Sequence, residues 1–435
     1  MQFLTNPAII SVILLCVLCL KKVNVLLAII VSTLIAGLLS GMDVKHVMDV
    51  FISGMGGNSE TALSYILLGA FAATMAHSGF TNKLAEWITK IISGRKWMLF
   101  LILALIAMAS QNIVPIHIAF IPIIIPPLLS TMNALNIDRR AVASVLAFGL
   151  KMPYITIPVG FGLIFQNLIA DNIIQNGVNI AREEVWKSTL ILGIGMLTAL
   201  LVSLFITYRK PRRYDDKPLS FAIDTTAECS KYTIWVVALA AVLTFGVQLW
   251  THSLPLGALV GLGVIFSFKV IPQNKMDHMM NEGIYLMGYV AFVMLVAAGF
   301  ASVLKESGAI ETLVNNAIAI MPENIILTSL LILILGLFIT IGIGTSFGTI
   351  PILAVLFVPI CAKMGFNVSQ IVVLVAAAAA LGDAGSPASD TTLGPTSGLN
   401  ADGQHNHIFD TCIPTFLHYN IALIIFALIG ITILR

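Results

Sequence analysis

Apolar runs of helical length follow one another along almost the whole chain, and two of them are broken by polar, glycine- and proline-rich stretches. The runs fall at roughly 5–20, 24–40, 61–77, 140–170 and 187–208. After a polar stretch from Tyr208 to Lys231 they recur at roughly 232–248, 254–268, 283–304, 368–400 and 412–434. The first interruption reads Gly149-Leu150-Lys151-Met152-Pro153-Tyr154-Ile155-Thr156-Ile157-Pro158-Val159-Gly160. The second reads Gly382-Asp383-Ala384-Gly385-Ser386-Pro387-Ala388-Ser389-Asp390-Thr391-Thr392-Leu393-Gly394-Pro395. Hydrocarbon offers no partner to a free N–H or C=O group. Irregular backbone at membrane depth therefore persists only where it lines a cavity or is buried in protein. Matched interruptions in two halves of a chain point to the substrate site of a secondary transporter.

Two further apolar pairs, 96–131 and 323–362, carry polar tips at Ser110-Gln111-Asn112 and Gly344-Thr345-Ser346. The arm from Lys96 to Ala109 is 14 residues, about 21 Å of helix, which is short for a hydrocarbon core of about 30 Å. Both pairs read as re-entrant hairpins. The halves also repeat one another. Leu68-Gly69-Ala70-Phe71-Ala72 and the later Ser78-Gly79 resemble Ala297-Ala298-Gly299-Phe300-Ala301 and Ser307-Gly308. Each is followed by an amphipathic stretch, a hairpin, a broken helix and a final helix. Five crossings per half is odd, so the second copy enters the membrane from the opposite face. The expected fold is an all-α polytopic membrane protein of two inverted-topology repeats, residues 1–213 and 231–435, joined by a cytoplasmic linker at 214–230. It has about 10 transmembrane helices, two re-entrant hairpins and two broken helices.

Composition sharpens this picture. The 435 residues are 58% apolar and 10% charged, with mean hydropathy +0.98, whereas a soluble domain is about 25% charged. Net charge is +2, which leaves no footprint for nucleic acid. No Lys or Arg precedes Lys21-Lys22, so the first run reads as an uncleaved helix with its N-terminus outside. With the hairpins not crossing, 16 of the 23 Lys and Arg fall on the cytoplasmic side and six outside, with Lys151 inside the membrane. That asymmetry fits a bacterial cytoplasmic (inner) membrane protein with this topology. Cys16 and Cys19 form a C-x-x-C on an apolar helix without His or acid nearby, which reads as packing.

The candidate chemistry sits in the breaks and tips. A carboxylate at mid-membrane costs at least about 2.5–3.5 kcal/mol, so it needs a cation, a partner or water. Asp383 and Asp390 lie in the second break with the hydroxyls of Ser386, Ser389, Thr391 and Thr392. Carbonyls of an unwound segment, hydroxyls and one carboxylate make a Na+ site, and Asp390 is favoured slightly over Asp383 as its carboxylate. The structural alternative is that both aspartates cap half-helices. Ser110, Gln111, Asn112, Thr345, Ser346 and Thr349 at the tips, with Thr156 in the first break, are the candidate solute contacts. Lys151 lies near the symmetry position of Asp383. Its ammonium either stands in for a cation in the first half's own site or pairs with a substrate carboxylate; the alternative is snorkelling to the interface. His117 is a candidate proton carrier. Glu60 and Asn58 read as a solvated cap. His405 and His407 lack a spaced third ligand, so no metal is expected beyond transported Na+, and no cofactor.

The run Gly382-Asp383-Ala384-Gly385-Ser386-Pro387-Ala388-Ser389-Asp390, followed by Leu393-Gly394-Pro395-Thr396-Ser397-Gly398-Leu399-Asn400-Ala401-Asp402-Gly403-Gln404-His405, resembles the C-terminal signature of the NhaC-type Na+/H+ antiporter family of the ion transporter superfamily. More narrowly it resembles that family's branch of amino-acid permeases. The resemblance implies a sodium- or proton-coupled carrier with a scaffold and a moving transport domain, working as a homodimer. Two functions follow: cation-coupled movement of a small solute such as an amino acid, or Na+/H+ exchange without organic substrate. Lys151 and the tips favour the first. An intramembrane aspartyl protease, suggested by Gly382-Asp383, lacks a second membrane aspartate in a Tyr-Asp pair, because Tyr214-Asp215 falls in the linker.

Overall fold

The computed structural model describes residues 5–92, 94–112, 117–159, 161–217, 230–251, 253–309, 311–312, 316, 324–343 and 346–434. Among them the regular structure is helical, with no strand. Before the linker lie α1 (Pro7–Leu20), α2 (Val25–Leu39), α3 (Val44–Met55), α4 (Ser59–His77), α5 (Phe80–Ile92), α6 (Lys96–Asn112), α7 (His117–Ala134), α8 (Arg139–Thr156), α9 (Phe161–Gln175) and α10 (Val185–Val202). After it lie α11 (Lys231–Thr251), α12 (Leu254–Ser267), α13 (Met276–Glu306), α14 (Ile325–Ile343), α15 (Ser346–Lys363), α16 (Val368–Ala380), α17 (Asp390–Leu399) and α18 (Ile421–Ile433). Wide π-type turns at 407–412 and 416–420 lead into α18.

Polar side chains set many of the boundaries. Asn6, Asn24, Asp43 and Asp138 accept from first-turn N–H groups of α1, α2, α3 and α8. Asn367 and Gln370 open α16 with a capping box. Helix α3 is absent from the apolar-run reading because it buries only Val47 and Phe51. Helix α13 starts at Met276, several residues ahead of its apolar run, because its first turns are polar. Among the described residues, Arg182–Thr207, Lys231–Gln248, Met287–Glu306 and His407–Ile433 are each long and apolar enough to cross a membrane. The 346–363 segment, bent by 45°, and several apolar helices of 10–17 residues accompany them.

The helices pack in two groups. In one, α4 and α13 lie along each other, with α2 and α3 against α13, α12 against α4, α11 on α12 and α1 on α2. In the other, α8 contacts α6, α10 and α17, while α16 is surrounded by α10, α14, α15 and α18. Each group takes helices from both sides of the linker, of which 218–229 lie outside the described residues. Residues 370–380 of α16 are all buried, and α8 is buried on nearly every face. Helices apolar all round belong at the centre of a bundle. The two broken helices are therefore the core of the second group. The first break separates α8 from α9 after Pro153 in the last turn of α8. The second runs from Leu381 to Ser389 and turns on Gly382 (φ 81°) and Gly385 (φ 94°).

At the end of α8 that the charge count puts in the cytoplasm, Arg139 is fully buried. Its guanidinium donates to both oxygens of Asp402 at 2.6 Å, to the Leu399 carbonyl and to Asn133 Oδ1. Arg212, just ahead of the linker, pairs with Asp410 at 2.8 Å. Burial raises the Asp402 carboxyl, but the hydrogen bonds from Arg139 and Gln404 and the arginine charge outweigh it and hold the group below its usual value. Beside it, burial pulls the His405 imidazole down to about 3, and the charges of Arg139, His407 and Arg212 add to this against the opposing pull of Asp410.

Two measurements check this framework. Gly385→Ala forces a side chain into left-handed backbone, at about 1–3 kcal/mol, and its Cβ would lie 2.5 Å from Phe416 Cα. Gly403 (φ 73°) has open space around it. The alanine at 385 is expected to lower the melting temperature of the detergent-purified protein clearly more than the alanine at 403; equal shifts would remove the packing argument. For His405, the unfolded chain takes up a proton as pH falls through 6.5, while the folded ring refuses it until about 3. Stability from this source is complete above the higher value and drains as pH falls toward the lower. His405→Gln is expected to flatten the loss of melting temperature between pH 7 and 4; an unchanged slope would contradict the assignment.

Candidate functional site

The two broken helices meet through one carboxylate. Lys151, on α8 five residues before its end, is completely buried. Its Nζ donates to Asp383 Oδ2 at 2.7 Å and to the Tyr154 hydroxyl at 3.0 Å. The Tyr154 hydroxyl lies 3.1 Å from the same Oδ2 and 3.0 Å from Ser346 Oγ, and Ser346 donates to Oδ2 at 2.7 Å. Ser389 donates to the other oxygen, Oδ1. Two groups from α8, one from the start of α15 and one from the second break thus saturate Asp383. Tyr154, Phe165 of α9 and Phe347 of α15 form a ring cluster beside it, with centroids 5.0–5.7 Å apart. That apolar wall lowers the local dielectric and strengthens the pair.

The second break is held open by side chains, which answers the cost of unwinding a helix inside protein. Gly382 N–H donates to Asn420 Oδ1 at 3.1 Å, and Asn420 Nδ2 donates to the Ala384 carbonyl at 2.7 Å. His407 Nε2 donates to the Pro387 carbonyl at 2.9 Å. Thr391 Oγ1 donates to the Asp383 carbonyl at 3.1 Å, and Thr392 Oγ1 to the Ser389 carbonyl at 2.9 Å. Ser386 Oγ accepts from the Ala388 N–H at 3.3 Å. Ser386, Thr391 and Thr392 hold the loop's shape, whereas Ser389 reaches the carboxylate.

Several sequence expectations change. Lys151 does not snorkel, and it does not occupy a separate site related to Asp383 by symmetry: the two are in contact. The ammonium is engaged by a protein carboxylate, so it is not standing free for a substrate's. Asp383, rather than the favoured Asp390, is the hub. Capping does not explain Asp383, whose partners are side chains; the cap of α17 is Ser389, which accepts from Thr391 N–H. Asp390 is half-buried in the first turn of α17 and acts through space on Lys151, Tyr154 and Tyr65. Thr156 bonds back to the Met152 carbonyl at 2.9 Å and faces Gly193 of α10. Ser110 is buried and bonds back to the Ala107 carbonyl at 2.9 Å, within its own helix. Thr349 is buried in α15. Thr345 and the side chains of Gln111, Asn112 and His117 lie outside the described residues. Of the tip residues, Ser346 is brought to the pair.

Tyr154, Asn420 and Tyr65 were missed. Tyr154 had a signal: three residues after a buried lysine, it lies on the same helix face. Tyr65, on α4, is fully buried, and its hydroxyl has no hydrogen-bond partner among the described residues. A cavity of about 230 Å³ is lined by Cys16 and Cys19 of α1, by Gly385-Ser386-Pro387, and by Cys412 and Phe416.

Removing one member of a buried pair strands the other, at about 3–5 kcal/mol. Lys151→Met and Asp383→Asn are each expected to destabilise the protein by that order. The double variant should cost well under the sum, because no charge is stranded. Additive losses in denaturant or thermal unfolding would show that the two charges do not depend on each other.

A family model described as the Na+/H+ antiporter family matches residues 145–431, and one described as the Na+-H+ antiporter family matches residues 6–92. Uncharacterized membrane protein VP2115 of Vibrio parahaemolyticus serotype O3:K6 (strain RIMD 2210633) is 45% identical over 440 residues, covering 99% of this chain and 100% of its own. YuiF of Bacillus subtilis (strain 168), named as a candidate amino acid transporter, is 44% identical over 447 residues, with 99% and 100% covered. The solved YdaH transporter of Alcanivorax borkumensis is similar at 13% identity and a TM-score of 0.44, over 89% of this chain and 88% of that one; a likeness that distant carries no argument. The extent of the family match and of the two sequence relatives settles membership: this chain belongs to the Na+/H+ antiporter family, and it is a multi-pass secondary transporter of the bacterial cytoplasmic membrane rather than an enzyme.

Proposed function

We propose that the chain exchanges Na+ for H+ at the Lys151–Asp383 pair. The observation that carries this reading is the position of the ammonium. It is fully buried and sits 2.7 Å from Asp383 Oδ2, where a cation using that oxygen arrives. The surrounding donors suit a hard ion, since Asp383, Ser346, Ser389 and Tyr154 all present oxygen. A Na+ reaching Asp383 displaces Nζ. An ammonium without a counter-charge is too costly in a dry site, so it releases a proton to the side the site then faces. On the opposite side a proton returns to Lys151, which reclaims Asp383 and expels Na+. One positive charge faces the carboxylate at every stage, so the exchange is one for one. Two broken helices joined at this pair, in halves 1–213 and 231–435 linked through 214–230, suit a site that opens alternately to either face.

A second reading adds an organic solute of the amino-acid class, moved with the cation. It draws on Asp390, whose charge reaches Tyr65, and on the Tyr65 hydroxyl, which has no hydrogen-bond partner among the described residues; together they can receive an amino group. The name given to the Bacillus relative points the same way.

Proteoliposomes with an internal pH dye separate the two. A Na+ pulse is expected to move protons in wild type without added solute, and Asp383→Asn should abolish that flux. Proton or Na+ movement that appears with a labelled amino acid and not without one would transfer the assignment to the second reading. Wild-type flux in Asp383→Asn would contradict both.

A further inference from the structure

A separate cluster lies where the end of α4 meets the start of α13. His77 Nε2 is 2.8 Å from Glu282 Oε2, and His278 Nε2 is 3.1 Å from Glu282 Oε1. One nitrogen from each histidine and a carboxylate oxygen all lie within 4.8 Å of one another. His278 and Glu282 are four apart on α13, so one helix face carries both, and His77 closes the set from the last turn of α4. The two backbones are locked next to the cluster, since a Cβ at Gly283 would sit 2.3 Å from the Ala70 nitrogen. The three side chains are therefore held together before any ligand arrives.

We propose that His77, His278 and Glu282 form a binding site for a divalent transition-metal ion of the zinc type. Two imidazoles and a carboxylate are the borderline donor set that such ions take, and the set is too rich in nitrogen for Na+, Mg2+ or Ca2+. With metal–ligand bonds of about 2.0–2.2 Å, neighbouring ligand atoms of a tetrahedral site stand about 3.3 Å apart. The separations of 2.8 and 3.1 Å, one to each carboxylate oxygen, need a small expansion, and the widest pair of the set, within 4.8 Å, needs to close on the ion. The two histidines face the same carboxylate, one at each oxygen, so a Glu282 using both oxygens would put one centre between them. The His77 and Glu282 side chains are mostly buried, at 15% and 23% exposure, while His278 is 59% exposed. Solvent reaches the open side, where water completes the coordination. A bound ion would staple α4 to α13 in the group of helices that does not contain the Lys151–Asp383 pair.

The competing account is a hydrogen-bonded clasp in which each imidazole donates to the shared carboxylate. Metal titration of the full chain, purified in detergent without a polyhistidine tag, decides between them. Zinc chloride competing with a chelating dye is expected to bind at one equivalent per chain and to raise the melting temperature, while magnesium chloride does neither. His278→Ala alters an exposed side chain, and Glu282→Gln keeps shape; each is expected to weaken zinc binding at least about tenfold, on the scale by which altered metal shells lose affinity, and to lose the thermal shift. Absence of zinc binding in wild type, or unchanged affinity in both variants, would overturn the site and leave the clasp. The readout is binding and melting rather than transport, so it stands or falls independently of the exchange reading.

Discussion

A charge sealed inside a membrane protein has to meet its opposite, and in this chain that requirement brings two interrupted helices together. Lys151 is on one and Asp383 beside the other, and both are buried. Their contact dictates much of what surrounds it. The second break must leave regular helix for Asp383 to face inward, so its carbonyls and N–H groups are taken up by Asn420, His407, Thr391 and Thr392. Ser346 at the start of α15 and the ring cluster of Tyr154, Phe165 and Phe347 close the space around the pair.

The chain holds a second buried pair, Arg139 with Asp402, and the contrast between them is instructive. Arg139 binds both carboxylate oxygens at 2.6 Å and two further acceptors. A guanidinium does not give up its proton in a protein. Its planar fork spreads the charge over fixed hydrogen bonds. That pair ties α8 to the loop after α17 and serves as an anchor. A lysine is a compact charge that can lose its proton when its surroundings change. The same architecture thus holds one ion pair suited to staying closed and one suited to opening.

Much of this was legible in the sequence, and the limits have physical reasons. Helical class, the two breaks and the importance of Lys151 and Asp383 follow from rules that act along the chain: apolar runs, helix breakers and the cost of intramembrane charge. The pairing itself was not legible, because residues 232 positions apart are joined by packing and not by periodicity. Sequence placed the lysine and the aspartate in equivalent positions and so assigned them to equivalent sites. The same gap led to Asp390 being favoured over Asp383, since both carry the same charge in the same segment and their depth differs only in three dimensions. Thr156 read as a site hydroxyl because it lies in the break, yet its helix turns it toward Gly193. Ser389 and Ser346 were found, and Tyr154 was within reach of a helix-face argument. Tyr65 lies on an uninterrupted apolar helix, with no local signal to set it apart.

The most direct test of the central claim is proton release on Na+ binding, followed with a pH-indicator dye on purified, weakly buffered protein. If Na+ takes the place of the Lys151 ammonium on Asp383, wild type releases about one proton for each Na+ bound, as one-for-one displacement requires. In Asp383→Asn, Na+ neither stabilises the protein thermally nor releases a proton. Na+ binding to wild type without proton release, or wild-type release from Asp383→Asn, would contradict the account.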